Sequence, residues 1–214
     1  MIILGAPGGG KGTISKKIVK QFAFNHVSTG DLLRANIQAG TELGKSAQDF
    51  MKKGTLVPDD LVVNMLKDHI NKGSTDDKTG AENRLLLDGF PRTIAQAEML
   101  GEVMPVDTVI HLDIPHAEIQ RRISQRWIHA PSGRVYNLEY SPPKDAGKDD
   151  ETGDALEQRE DDKPATVQQR LDDYEAMTAP LIDFYKNKAS VHSFAGTESD
   201  VIYVSVEKTL KDIL

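Results

Sequence analysis

A chain of 214 residues has room for one compact domain with a single inserted subdomain, and none of its apolar runs reaches the ~18 residues that a membrane span requires. A net charge of -7 argues against a basic nucleic-acid-binding surface, and the lack of cysteine excludes disulfides and thiolate metal sites. Only nine of the 26 basic residues are arginine, so each guanidinium, whose planar fork suits phosphate oxygens, is a candidate for ligand binding.

The chain enters its first strand at Ile2-Ile3-Leu4 with no basic-then-apolar signal segment ahead of it, so an intracellular compartment is the expectation. Directly after it, Gly5, Gly10 and Lys11 fit the phosphate-binding spacing G-x-x-x-x-G-K. Glycines let the backbone curl until successive N–H groups face an anion, and the following helix adds its positive end. That helix is marked by Ile14, Ile18, Val19 and Phe22. The residue after Lys11 is Gly12, where the strict pattern has Ser or Thr, and Thr13 comes one place late.

Further strands are expected at 26–30 (HVSTG), Arg84–Asp88, Thr108–Asp113 and 190–194 (SVHSF), with helices at about 31–53, 59–72, 93–103 and 116–126. This alternation predicts an α/β fold with a parallel sheet. From 127 to 162 the character changes. RVYNLEYSPPK alternates like a strand, DAGKDDETGD is turn-rich, and Trp127, Tyr136 and Tyr140 offer a small core, so a β-rich inserted lid is expected. Val167, Leu171, Tyr174, Leu181, Ile182 and Tyr185 then predict a long helix bent near Pro180, and 200–213 a closing helix.

A glycine loop alone leaves hydrolysis, switching and transfer open. A GTPase switch would read guanine through N-K-x-D, but the strings at 71–74 and 187–190 lack the aspartate, and D-x-x-G matches at 77–80 and 150–153 are too short to count. STGDLLR places Thr29 at a strand end and Arg34 on the first turn of a helix. LLLDGFPRT ends a strand at Asp88 and sets Arg92 just beyond it. Ligands gather at the carboxyl ends of parallel strands, so Lys11, Arg34, Asp88 and Arg92 converge on one crevice in this reading.

GAPGGGKGT, STGDLLR, LDGFPRT followed by Gln96, RWIHAPSGRVYN and REDD resemble, in order and spacing, the long-lid adenylate kinase family, and the likeness runs from residue 2 to about 210. The resemblance implies a P-loop NTPase-type five-stranded parallel sheet. Its core would be 1–29, 60–126 and 163–214, with an NMP-binding helical segment at 30–59 and the lid at 127–162. It implies reversible, Mg²⁺-dependent phosphoryl transfer from a nucleoside triphosphate to AMP, by a monomer. A kinase for another monophosphate and a nucleotide-sensing module are the rival readings.

Carried over by position, Lys11 and the backbone of Gly8, Gly9, Gly10, Gly12 and Thr13 would hold the donor phosphates. Arg122, Tyr136, Asn137, Thr197 and Glu198 would flank the donor. Asp88 would orient hydrated Mg²⁺, while Arg34 and Arg92 grip the AMP phosphate. Thr29, Gly30, Met51, Thr55, Val57, Gly89 and Gln96 would line the AMP pocket, Gln96 presenting a donor and an acceptor to adenine. Arg126, Arg159 and Arg170 would close over the transferring group, with Asp161 and Asp162 tethering the lid.

Two departures carry information. Relatives that hold lid zinc do so with cysteines, but here the positions are His129, Ser132, Asp149 and Thr152, which suit a hydrogen-bonded cluster instead. ATP-using bacterial relatives have RVYH and a GTK loop, where this chain has Asn137 and Gly196-Thr197-Glu198. A carboxylate accepts from the guanine N1–H and amino group but opposes the adenine N1 lone pair. With QREDDKP and FAGTES, this resembles the mitochondrial GTP:AMP branch of the family. GTP and the matrix are then the expectation, and ATP in the cytoplasm the alternative.

Overall fold

The computed structural model describes residues 1–73 and 84–214. Strands β1 (Ile2–Gly5), β2 (Asn25–Ser28), β3 (Leu85–Asp88), β4 (Thr108–Asp113) and β7 (Ser190–Ala195) form one parallel sheet in the order β2-β3-β1-β4-β7. Helices α1 (Lys11–Phe22), α4 (Asp59–Gly73), α5 (Ile94–Val103), α6 (His116–Ser124), α7 (Pro164–Asp173), α8 (Pro180–Lys186) and α9 (Ser199–Ile213) flank it. The α/β fold with a five-stranded parallel sheet is the one expected. The D-x-x-G string at 77–80 lies outside the described residues, as does Ser74 at the end of the NKGS string weighed against N-K-x-D.

The short apolar runs make buried strands because alternate side chains feed different faces of the sheet. Ile2, Leu4, Leu87 and Val109 pack with α4, α5 and α8; Ile3, Leu86, Ile110 and Leu112 pack with α1, α6, α7 and α9. All eight are at most 3% exposed, and each such side chain contributes roughly 1.5–3 kcal/mol on burial. The sheet is thereby rigid where the loops leave it.

The helical pattern expected over 31–53 is two helices, α2 (Thr29–Gln38) and α3 (Glu42–Lys53). Gly40, in the left-handed region at φ 65°, breaks it, and Thr41 restarts it by accepting from the Gly44 N–H at 3.0 Å. The bend expected at Pro180 begins earlier, in a π-helical segment at Tyr174–Thr178 where the Ala179 N–H reaches back to the Tyr174 carbonyl (2.8 Å).

Strands β5 (Arg126–His129) and β6 (Arg134–Asn137) form a separate antiparallel pair. The string RVYNLEYSPPK alternates like a strand up to Pro142-Pro143, but β6 stops at Asn137. The Asn137 Oδ1 accepts from the Glu139 and Tyr140 N–H groups, both at 2.9 Å, and so turns the chain. Tyr140 is accordingly not part of a lid core: it is 43% exposed, with its ring 5.5 Å from the Arg122 guanidinium. Residues 160–162 form a short 3-10 turn leading into α7.

Candidate phosphoryl-transfer site

The glycine loop sits between β1 and α1, clamped from two sides. Gly8 and Gly10 are both left-handed, at φ 78° and 86°. A Cβ on Gly8 would lie 2.5 Å from Ile123 Cγ1, and one on Gly10 would lie 2.6 Å from Ser199 Oγ. The loop thus presses on α6 and on the start of α9 with no space for side chains. Lys11 opens α1, and its Nζ folds back to donate to the carbonyls of Gly5 (2.6 Å) and Ala6 (2.9 Å). Burial pulls its pKa down to about 8; Asp88 opposes this, and Arg92, Arg170 and Arg126 add to it. Gly12 has open space around its Cα and Thr13 is exposed.

Strand β3 delivers Asp88 beside this lysine. Asp88 is 8% exposed, with Oδ2 3.5 Å from His26 Nε2. Four residues on, Arg92 is fixed at three points. Its Nε donates to the Gly89 carbonyl (2.8 Å), its backbone N–H to Gln96 Oε1 (2.7 Å), and its carbonyl accepts from Thr178 Oγ1 (2.9 Å). The Gly89 carbonyl also accepts from Thr29 Oγ1 at 2.9 Å. Burial, with Arg170 nearby, lowers Arg92 to about 10, so it stays cationic at neutral pH.

The other arginines arrive from different elements. Arg34 lies in the second turn of α2, not the first, and Thr29 is the first residue of that helix. The Arg34 guanidinium donates to Asp31 Oδ1 at 2.5 Å. Arg126, at the start of β5, forks onto Asp162, its Nε 2.8 Å from Oδ2 and its second nitrogen on Oδ1. Burial alone would lower its pKa, but Asp162 more than offsets that and raises it. Arg170 donates to the Asp161 carbonyl and carboxylate, both at 2.9 Å. Arg159 has a buried Nε without a partner; burial and then Arg34 lower it to about 10. Six cations (Lys11, Arg34, Arg92, Arg126, Arg159, Arg170) thus share this region with four carboxylates (Asp31, Asp88, Asp161, Asp162), each cation within electrostatic range of others. A surplus of largely buried positive charge is costly without an anion to meet it.

In the segment 30–59, Gly30 is buried at the start of α2, Met51 is half-buried on α3 and Val57 is 4% exposed. The Thr55 backbone N–H donates to the Phe50 carbonyl at 3.0 Å. Arg122, on α6, is 8% exposed and held by Glu118 (Nε to Oε1, 2.9 Å) and by the Thr197 carbonyl (2.6 Å). Glu198 is exposed next to Thr197, immediately before α9.

Three residues expected to contact a base or the donor have protein partners of their own. Gln96, expected to face adenine, has both ends engaged: Oε1 accepts from Arg92, and Nε2 donates to Asp59 Oδ1 at 2.7 Å. Asn137, expected against the donor base, spends its oxygen on the turn at 139–140 and its Nδ2 on the Arg122 carbonyl (3.0 Å). Tyr136 is 6% exposed, and its hydroxyl donates to Asp149 Oδ1 at 2.9 Å rather than facing a ligand.

Asp149 anchors a polar cluster beside β5 and β6. Arg134 forks onto it (2.7 and 2.6 Å), Thr152 Oγ1 donates to it (3.0 Å), and His129 bridges Ser132 (2.7 Å) and Asp154 (3.1 Å). The Arg134 bonds hold the Asp149 carboxyl well below the usual carboxylate range. His129, Ser132, Asp149 and Thr152 therefore meet in one hydrogen-bonded cluster. Among the described residues no group of three His, Asp or Glu is arranged to hold a metal ion.

Sequence reasoning passed over Glu118, Asp59 and Thr178. Glu118 was detectable from its i,i+4 spacing to Arg122. Asp59 and Thr178 act across elements and leave no local signal.

A glycine loop closing onto a lysine, a carboxylate at the neighbouring strand end and arginines converging from α2, β5, α7 and two connecting segments define a P-loop-type nucleotide kinase site. The chain belongs to the adenylate kinase family of nucleoside monophosphate kinases, whose sequence model matches residues 3–190. It is 48% identical over 212 residues, covering 99% of this chain and 94% of the relative, to a Drosophila melanogaster protein named GTP:AMP phosphotransferase, mitochondrial.

Proposed function

We propose that the protein transfers the γ-phosphoryl group of GTP reversibly to AMP, giving GDP and ADP. The observation that carries transfer between two phosphorylated substrates is where the cations sit: Lys11 belongs to the glycine loop, whereas Arg34 on α2 and Arg92 just after β3 lie near each other and Asp88, where a second phosphate would meet them, and Arg159 Nε is buried and unpartnered. In this reading Lys11 holds the donor phosphates, Arg34 and Arg92 the AMP phosphate, and Arg126, Arg159 and Arg170 neutralise charge as the group moves in line. Arg34, Arg126 and Arg170 each exchange a carboxylate partner and Arg92 its Gly89 carbonyl for phosphate oxygen, whereas Arg159 Nε has no partner to give up.

Mg²⁺ fits this site: among the described residues no hydrogen-bond donor reaches the Asp88 side-chain oxygens closer than His26 at 3.5 Å, and Mg²⁺ commonly takes one or two protein carboxylates plus phosphates and water. Bound there, it would draw charge from the β- and γ-phosphates. Residues 30–59 form the AMP-binding segment, 127–162 a lid that excludes water as a competing acceptor, and 1–29, 60–126 and 163–214 the core.

GTP is favoured over ATP by the name of the 48% identical relative and by Glu198, an exposed carboxylate one residue from the carbonyl that anchors Arg122. The mitochondrial matrix is the proposed location on the same relative, and the working unit is a monomer. Among the described residues no helix is long and apolar enough to cross a membrane. The test compares initial rates of ADP formation from AMP with Mg·GTP and Mg·ATP, in wild type and Glu198→Lys. GTP well ahead, with the ratio falling in the variant, supports the reading; ATP ahead in wild type removes GTP as the donor.

A further inference from the structure

Asp59 opens α4, Thr93 caps α5, and Gln96 is the third residue of α5. Their side chains form a closed circuit. Gln96 Nε2 donates to Asp59 Oδ1 (2.7 Å), Thr93 Oγ1 donates to Asp59 Oδ2 (3.1 Å), the Gln96 backbone N–H donates to Thr93 Oγ1 (3.1 Å), and the Arg92 N–H donates to Gln96 Oε1 (2.7 Å). A carboxylate only accepts and a backbone N–H only donates, so the amide of Gln96 has one permitted orientation. Reversing it would press its oxygen on Asp59 and its NH₂ on the Arg92 N–H. Gln96 is 2% exposed, which leaves no water to relieve either clash. In the permitted orientation one N–H and one carbonyl lone pair are left over.

Resting on the reading that Gln96 faces the acceptor base, we propose that Asp59 is a positioning residue that sets which purine the acceptor site takes. A 6-amino purine offers N6–H as donor and N1 as acceptor, matching the leftover lone pair and N–H. A 6-oxo purine offers O6 as acceptor and N1–H as donor, and pairs only with the reversed amide. Asp59 thereby rejects IMP without touching it, by holding Gln96 the other way round.

The test measures kcat/KM for AMP and IMP with Mg·GTP in wild type, Asp59→Asn, Asp59→Ala and Gln96→Leu. Asn supplies an NH₂ where Oδ1 stood, so the reversed Gln96 amide gains a donor there. The AMP/IMP ratio should fall by roughly tenfold or more in Asp59→Asn, mostly through the acceptor KM, with the donor KM unchanged. Asp59→Ala removes the carboxylate but leaves the Arg92 N–H on Oε1, so it should move the ratio the same way and less far than Asp59→Asn. Both rates come from one preparation, so any loss of folded protein cancels in the ratio. An unchanged ratio in the active Asp59 variants overturns the proposal while a reduced ratio in Gln96→Leu leaves Gln96 as the base reader. An unchanged ratio in Gln96→Leu overturns that reading and the role of Asp59 with it.

Discussion

Donor binding should carry a proton with it. The Lys11 pKa is pulled down to about 8, because burial and the guanidiniums of Arg92, Arg170 and Arg126 outweigh Asp88. A triphosphate beside Nζ reverses that balance and lifts the pKa, so the bound form keeps its proton. At pH 9 only about one free molecule in ten carries the proton, whereas at pH 7 about nine in ten do. Binding then takes up ~0.9 proton at pH 9 and ~0.1 at pH 7, and Lys11 alone weakens donor affinity about tenfold across that interval. The sign follows from the shift: a pKa raised on binding favours the complex below the free pKa and costs affinity above it. Calorimetric titration of Mg·GTP in buffers of different ionisation enthalpy counts the protons, and Lys11→Met should lack the pH-9 uptake. Equal uptake at both pH values, or the same uptake in Lys11→Met, would refute the reasoning.

Gly8→Ala sets a Cβ 2.5 Å from Ile123 Cγ1 in a left-handed backbone, so thermal unfolding should show about 2–4 kcal/mol lost, and Ile123→Val should recover only part of it. Arg92→Ala should reduce transfer to AMP by orders of magnitude while far-UV circular dichroism stays that of wild type; an unchanged rate removes Arg92 from the site. Gly54→Ala places a Cβ 2.6 Å from Thr166 Cγ2 and 3.1 Å from Arg170 Cγ. It should raise the AMP KM, with partial rescue by Thr166→Ala, and steady-state kinetics on the single and double variants checks this.

The sequence made the scaffold legible because its signals are local. Ile2-Ile3-Leu4 followed by a glycine loop and a helical repeat could become little else, and Asp88 and Arg92 follow a strand end by fixed spacing. The side-chain pairings were less accessible. Asn137 looked free to face a base because nothing in RVYN shows that its oxygen would turn the chain at 139–140. Tyr136 and Tyr140 alternate in sequence, yet one hydroxyl goes to Asp149 and the other to Glu118 on α6. Gln96 meets Asp59 across 37 positions, a distance over which residue type predicts no pairing. Long-range polar contacts depend on tertiary packing, and a one-dimensional pattern does not encode them.

The central claim is that the γ-phosphoryl goes to AMP and not to water. Single turnover of γ-labelled GTP with excess AMP and Mg²⁺ tests it directly, with γ-labelled ATP run alongside. The account predicts label in the β-position of ADP, little in inorganic phosphate, and faster transfer from GTP. Label released mainly as inorganic phosphate with AMP present, or no turnover from either donor, would contradict it.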